Sequence, residues 1–437
     1  MYMKSFSLFL TGILLLLNPE ILPGQQNTTS FDVDGLKVIH KQVPNEVVAV
    51  RLYIRGGTAN YPLEKEGVEA LALEMVLYGG TKSRSADDFY NESNRLGIGL
   101  SGKSGYDYGF LGMTALKMYW DESWDLWSEA LTQPAMTEDA FEDFRDEIYS
   151  RNRRANLAPE EEINQLSMVY TYSGTDYEKN PNGTTESLYD LTLDDVTNHY
   201  EKILTKANCF VVVVGDISPE DLKQKVQSAF GSLPAGTAAT PTPATEVRSP
   251  GVNIQHSDLD INHIQGRMPA PEHWSAEDIP NRLAMSLLSD RFIEVLTHEE
   301  QIAYAPSAFS GEEHLYPSNG IYVATASPVK SIRKVMEIIE NVKDDGFTSE
   351  ELENKKFTFL TYHYLAQETV DAQAHVLGDA EAKGSWQLAQ DITPLVLETT
   401  VDQVNSVFRK YATWINWTYL GNISQVVSDD FPQPEEN

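Results

Sequence analysis

Met136-Thr-Glu-Asp-Ala-Phe-Glu-Asp-Phe-Arg-Asp-Glu147-Ile148 and Phe347-Thr-Ser-Glu-Glu-Leu-Glu-Asn-Lys-Lys-Phe-Thr-Phe359 lie in opposite halves of the 437-residue chain and open in the same way. In each, a threonine (Thr137, Thr348) stands where a helix N-cap belongs and acids fill the first turn; Thr348-x-x-Glu351 completes a capping box. A second pair of stretches repeats the likeness. Leu193-Asp-Asp-Val196 leading to Val211-Val-Val-Val-Gly-Asp-Ile-Ser218 is echoed by Val401-Asp-Gln-Val404 leading to Trp417-Thr-Tyr-Leu-Gly-Asn-Ile-Ser424. Between them Leu233-Pro-Ala-Gly-Thr-Ala-Ala-Thr-Pro-Thr-Pro is small and Pro-rich, a composition that favours an extended connection over a packed one. Strands such as Val47–Ile54 open a half and long helices, for instance from about Glu66 to Tyr78, fill its middle. The pattern predicts an α+β chain of two homologous domains, 29–232 and 253–428, joined by a 233–252 linker. Each would be a mostly antiparallel sheet with helices packed on one side, the two facing across a chamber.

The chain carries 65 acidic and 33 basic residues, a formal charge of −32. That excess argues against a nucleic-acid partner and against docking on anionic lipid, both of which need a basic face. With Cys209 alone, no internal disulfide and no cysteine-based zinc site can form; Cys209-Phe-Val-Val-Val-Val reads as a buried strand. Lys4 followed by the apolar run Ser5–Leu17 and a break at Asn18-Pro19 reads as a secretory signal peptide, taken as residues 1–24, with no membrane span after its cleavage. The expected location is therefore secreted or periplasmic.

Gly97-Ile-Gly-Leu-Ser-Gly102-Lys103-Ser104 matches the phosphate-loop pattern formally, but a helix precedes it and strand-like residues follow, the reverse of the order that brings a helix N-terminus to phosphate. A Gly-rich strand open to another backbone is the better reading. No two of the nine histidines stand four residues apart, and neither H-E-x-x-H nor H-x-x-E-H occurs. His298, one turn after Glu294, reads as half of a helical surface pair.

Gly67-Val-Glu-Ala70-Leu-Ala-Leu73-Glu74-Met-Val-Leu-Tyr-Gly-Gly-Thr81, with Arg55-Gly-Gly-Thr-Ala-Asn before it, resembles the start of the pitrilysin/insulinase metallopeptidases, the inverted zincins. The resemblance implies a helix that in active members carries H-x-x-E-H, two zinc-binding imidazoles and a general base, with a glutamate on a later helix as third protein ligand. Those positions fall on Ala70, Leu73 and Glu74, all changed, and on Glu147, which is kept and expected to face inward with Phe144, Ile148 and Arg151. An acid paired with a nearby arginine explains Glu147 as well. The resemblance also makes Gly99, Leu100, Ser101, Gly102, Lys103 and Ser104 a substrate-pairing edge strand. Leu296-Thr297-His-Glu-Glu-Gln-Ile-Ala-Tyr304 becomes the segment that supplies an Arg and a Tyr to the substrate carbonyl, with Tyr304 present and Thr297 in the arginine's place. No zinc is expected and no catalytic residue is assigned.

The resemblance further implies pairing. The expected protein is a non-catalytic subunit that handles extended peptides beside a catalytic H-x-x-E-H chain, or as a homodimer. A stand-alone peptide-binding protein and an active peptidase with unorthodox ligands are the alternatives.

Overall fold

The computed structural model describes residues 28–155, 158–239 and 250–434. The signal-peptide reading of residues 1–24 and the middle of the Pro-rich linker lie outside the described residues. Among the described residues eleven strands form two sheets. The first contains β1 (Thr28–Val33), β2 (Leu36–Gln42), β3 (Val47–Arg55), β4 (Gly99–Lys103), β5 (Tyr108–Leu116) and β6 (Cys209–Gly215), in the order β1-β2-β6-β3-β5-β4. The second contains β7 (Gly251–His256), β8 (Asn262–Pro269), β9 (Tyr304–Ser310), β10 (Ser318–Thr325) and β11 (Asn416–Gly421), in the order β7-β11-β8-β10-β9. Neighbours are antiparallel except β2–β6 and β7–β11, the corresponding pair in each half. The two stretches that end Gly-Asp/Asn-Ile-Ser are thus equivalent strands, β6 inserted parallel to β2 and β11 parallel to β7.

The helices of the first half are α1 (Val68–Tyr78), α2 (Ala86–Leu96), α3 (Trp120–Thr132), α4 (Glu138–Ala155), α5 (Pro159–Thr171), α6 (Thr185–Asp190), α7 (Leu193–Ile203) and α8 (Pro219–Phe230). Those of the second are α9 (Asp278–Phe292), α10 (Pro328–Asp345), α11 (Ser349–Leu365), α12 (Val370–Ala382), α13 (Ile392–Glu398) and α14 (Val401–Tyr411). The predicted caps form. Thr137 Oγ1 accepts from the Ala140 amide at 3.3 Å, and Thr348 and Glu351 make the reciprocal box at 3.2 and 2.8 Å. On one face of the first sheet, Val50, Leu52, Val211 and Val213 meet α1, α3, α7 and α8 in a core that includes Trp124, Trp127 and Phe230. The second sheet packs likewise on α9, α10, α11 and α14.

The other face of each sheet is covered by a helix of the opposite half. α12 lies on β3 and β6, where Val370, Ala374 and Leu377 pack with Ile39, Tyr53, Phe210 and Val212; α5 lies on β8 and β11. This explains why β6 is buried along its whole length: a strand covered on both faces reads as a continuous apolar run. Burying a Val or Leu side chain contributes ~1.5–3 kcal/mol, so the exchanged helices hold the halves together. Polar groups fix their register. The Arg51 guanidinium forks onto Asp371 at 3.0 and 2.8 Å, Glu381 accepts from Lys37 and Arg55, both at 2.8 Å, and Tyr108 donates to Asp379 at 2.9 Å. Across the other contact, Arg267 donates to Asn164 at 2.8 Å and Ser167 at 3.3 Å on α5.

Candidate functional site

Gly67 takes a left-handed turn (φ 84°) and its Cα packs against Gly183, which sets the start of α1. The helix is buried almost all round, as its sequence of Val, Ala, Leu and Met requires. Ala70 and Leu73 are 6 % and 2 % exposed and belong to the first-half core. Leu73 occupies the space left by Gly109 on β5: a Cβ there would stand 3.1 Å from Leu73 Cδ1. Glu74 is half-buried and accepts from Arg151 Nη2 of α4 at 3.0 Å. Glu147 sits one turn before Arg151, on the helix that packs against α1 and pairs with Glu74. The Tyr78 phenol between them is held above its ordinary pKa, first by burial and then by the charges of Glu74 and Glu147.

Glu147 differs from expectation in its direction. It is exposed, while Ile148 and the partly buried Phe144 take the inward positions on α4. The reason is helical spacing: Phe141, Phe144 and Ile148 define the apolar stripe, and Glu147 falls on its margin. Arg151 pairs with Glu74, the residue on the second histidine's position.

This donor set does not fit zinc. No imidazole is present, one carboxylate is committed to an arginine, and an aliphatic side chain fills the general-base position. Among the described residues no group of three or more His, Cys, Asp or Glu side chains is arranged to hold a metal ion.

β4 is one of the two outer strands of its sheet and, among the described residues, is bonded only to β5. Helix α2 precedes it and β5 follows, the order that argues against a phosphate loop. Gly99, Gly102 and Lys103 are exposed, and Leu100 and Ser101 partly so. The side chain of Ser104 turns inward, 4 % exposed, and donates to Glu69 Oε1 at 3.4 Å. Tyr304 begins β9, one of the two outer strands of the second sheet, and is 62 % exposed. Thr297 Oγ1 donates to the Ala303 carbonyl at 3.4 Å. His298 pairs with Glu294 at 3.2 Å on an exposed turn, as its spacing indicates. Lys103 and Ser104 at the end of β4, and Phe309 and Ser310 at the end of β9, border one groove of about 660 Å³ between the halves; Tyr304 does not line it.

Sequence reasoning missed Glu69. It is fully buried on α1, accepts from Asn60 Nδ2 at 2.9 Å, and meets His199 Nε2 of α7 at 3.3 Å. The network ties α1, α7 and the end of β4 together and gives a buried carboxylate the partners it needs. The only signal in the sequence was an acid on a helix with no polar face.

Residues 37–184 match the family described as Insulinase (Peptidase family M16), and residues 190–359 match the Peptidase M16 inactive domain. The chain belongs to this M16, or pitrilysin/insulinase, family. It is 22 % identical over 336 residues to the non-peptidase homolog YmxG of Helicobacter pylori, covering 74 % of this chain and 76 % of that one. The structure is similar to a peptidase M16 inactive domain from Pseudomonas fluorescens (TM-score 0.82, 16 % identity, 94 % of this chain and 100 % of the other). It also resembles the periplasmic protease PqqL of Escherichia coli (TM-score 0.73, 16 % identity), covering 93 % of this chain but 49 % of that one.

Proposed function

We propose that this chain is an exported, non-catalytic M16 subunit that presents the β4 edge, Gly99 to Lys103, to extended peptides and pairs with a catalytic chain carrying H-x-x-E-H. The observation that carries the reading is the replacement of ligands and base by Ala70, Leu73 and the Glu74–Arg151 pair within a frame that otherwise keeps the family's helix and edge strand. An outer strand offers main-chain donors and acceptors largely independent of peptide sequence. The common groove at the ends of β4 and β9 gives an extended chain a path between the halves. Pairing is supported by length: this chain accounts for about half of PqqL, so a second body of similar size would complete the same assembly. Export is supported by the apolar N-terminal run and by the periplasmic relative; no helix among the described residues is long and apolar enough to cross a membrane.

Size-exclusion chromatography of the chain alone and co-expressed with an H-x-x-E-H homologue tests this reading. A joint peak with peptide cleavage that depends on the partner's zinc is expected. A monomer that holds peptides tightly and ignores the partner would make it a stand-alone binding protein. Zinc-dependent turnover by the chain alone, lost in Glu147→Gln, would overturn the non-catalytic assignment.

A further inference from the structure

Helices α4 and α11 are counterparts, each starting at a capping threonine, yet their outward faces are opposite in character. α4 carries Asp146, Glu147, Arg151 and Arg153 towards solvent or at its margin; the same steps along α11 carry Phe357, Thr358, Tyr362 and Tyr364. From Phe357 to Ala366 α11 and its C-cap hold no Asp, Glu, Lys or Arg, although the chain as a whole is strongly charged. Phe357 and Tyr362 are each 68 % exposed, Tyr364 58 % and Leu365 52 %.

α13 extends this face. Tyr364 Oη and Thr393 Oγ1 are 2.9 Å apart and Lys356 Nζ donates to the Leu397 carbonyl at 3.0 Å, so the two helices lie side by side, with Leu397 52 % exposed. A fully exposed aromatic side chain presents ~150–250 Å². Together these residues leave on the order of 500 Å² of largely apolar surface in water, near the upper end of what a monomer shows. A stable protein interface buries ~800 Å² on each partner, so this face alone is smaller than a dimer requires and suits a narrower occupant.

Charge indicates which. The two lysines of this part of α11 are turned in and paired, Lys355 with Asp290 at 2.5 Å and Lys356 with Glu353 at 2.8 Å. At the ends of the face stand exposed carboxylates, Glu398 beyond Leu397 and Glu368 beyond Leu365. A second copy would bring a like-charged rim and another −32 charges to the contact. We infer that the α11–α13 face binds peptide segments in which aliphatic or aromatic side chains are interspersed with lysine or arginine. The apolar side chains cover Phe357, Tyr364 and Leu397, and the basic ones meet the acidic ends. This deepens the peptide-binding part of the proposed function, adding a side-chain-selective surface to a main-chain-pairing strand.

Fluorescence anisotropy of the purified chain with three labelled synthetic peptides tests it: one apolar and basic, one with acids in place of the basic residues, and one with serines in place of the apolar residues. The first should bind at low salt at least tenfold more tightly than either of the others, and weaken as salt is raised. Phe357→Ser/Tyr364→Ser should weaken it about tenfold or more. Thr361→Glu, which places a charge at the centre of the exposed face without disturbing the core, should do the same. Equal binding of all three peptides, unchanged affinity in both variants, or a dimer of the chain dissolved by Phe357→Ser/Tyr364→Ser would each overturn the inference. Gly102→Pro on β4 separates the two claims. Peptide binding lost there but kept in the α11 variants leaves the edge-strand reading standing and removes this one, whereas absence of any peptide binding removes both.

Discussion

Glu74 on α1 and Arg151 on α4 form an ion pair at 3.0 Å between the two helices on which the family resemblance implies metal ligands. The pair ties the two helices through a carboxylate and a guanidinium. At 23 % and 44 % side-chain exposure it is partly solvated, and such pairs contribute ~0–1 kcal/mol. Glu74→Gln should therefore lower the melting temperature only slightly.

Rebuilding the motif should behave differently. Ala70→His/Leu73→Glu/Glu74→His puts two large polar groups at positions 6 % and 2 % exposed and leaves Arg151 without its carboxylate. A buried polar group without its full complement of partners costs ~1–3 kcal/mol, so the variant should melt well below the parent. Added zinc should recover part of the loss, because metal bound only by the folded state stabilises it. Thermal melts with and without zinc check this; a zinc-indifferent melt would mean that α1 and Glu147 do not converge on one point.

Gly378 on α12 allows the helix to lie on the first sheet. A Cβ there would stand 2.1 Å from the ring of Tyr53. Tyr53 is itself fully buried and stacked on Phe210 at 4.9 Å, so it has no room to retreat. Gly378→Ala should destabilise the chain by ~1–3 kcal/mol through overpacking. Limited proteolysis should detect loosening of α12 before the first-half core is cut.

Arg267 on β8 is 2 % exposed and donates to Glu313 at 3.1 Å, Ser318 at 2.9 Å, and the two α5 residues. Arg267→Ala leaves the partly buried Glu313 without its cation and removes two of the hydrogen bonds that hold α5 to β8. Breaking such a buried pair costs ~3–5 kcal/mol. Denaturant unfolding should show a loss of that order, larger than that of Arg51→Ala, whose partner Asp371 is 35 % exposed.

Acid should weaken the fold before carboxylates titrate. Burial lowers the pKa of His40, His263, His273, His363 and His375 below the ordinary 6.5. The unfolded chain then binds more protons than the folded one, so stability present above pH 6.5 is lost as pH falls through that value towards the folded pKa values. Asp107 and Glu66, raised by burial, act in the opposite sense, but closer to the carboxylate range. Melting temperature should fall between neutral and mildly acidic pH, and His40→Gln/His375→Gln should flatten that slope.

Much of this architecture was legible in local sequence. The capping threonines, the run Val211–Val214, the Gly-rich outer strand and the internal repeat each act within one element, so their spacing sufficed to read them. The Glu147 direction was not legible, because a residue at the margin of an apolar stripe turns inward or outward according to what its neighbours leave open. Glu69 escaped for the same reason: its partners Asn60, Ser104 and His199 come from three other elements.

The sequence by itself determined the two repeated α+β units, their family and the absence of H-x-x-E-H, because each is written in residue identity and short-range period. Only the tertiary structure decided that the halves exchange α5 and α12, that Arg151 takes up Glu74, and that α11 turns its aromatic side chains to solvent. Those outcomes depend on contacts between segments far apart in the chain, where packing and charge pairing, rather than local propensity, select one arrangement.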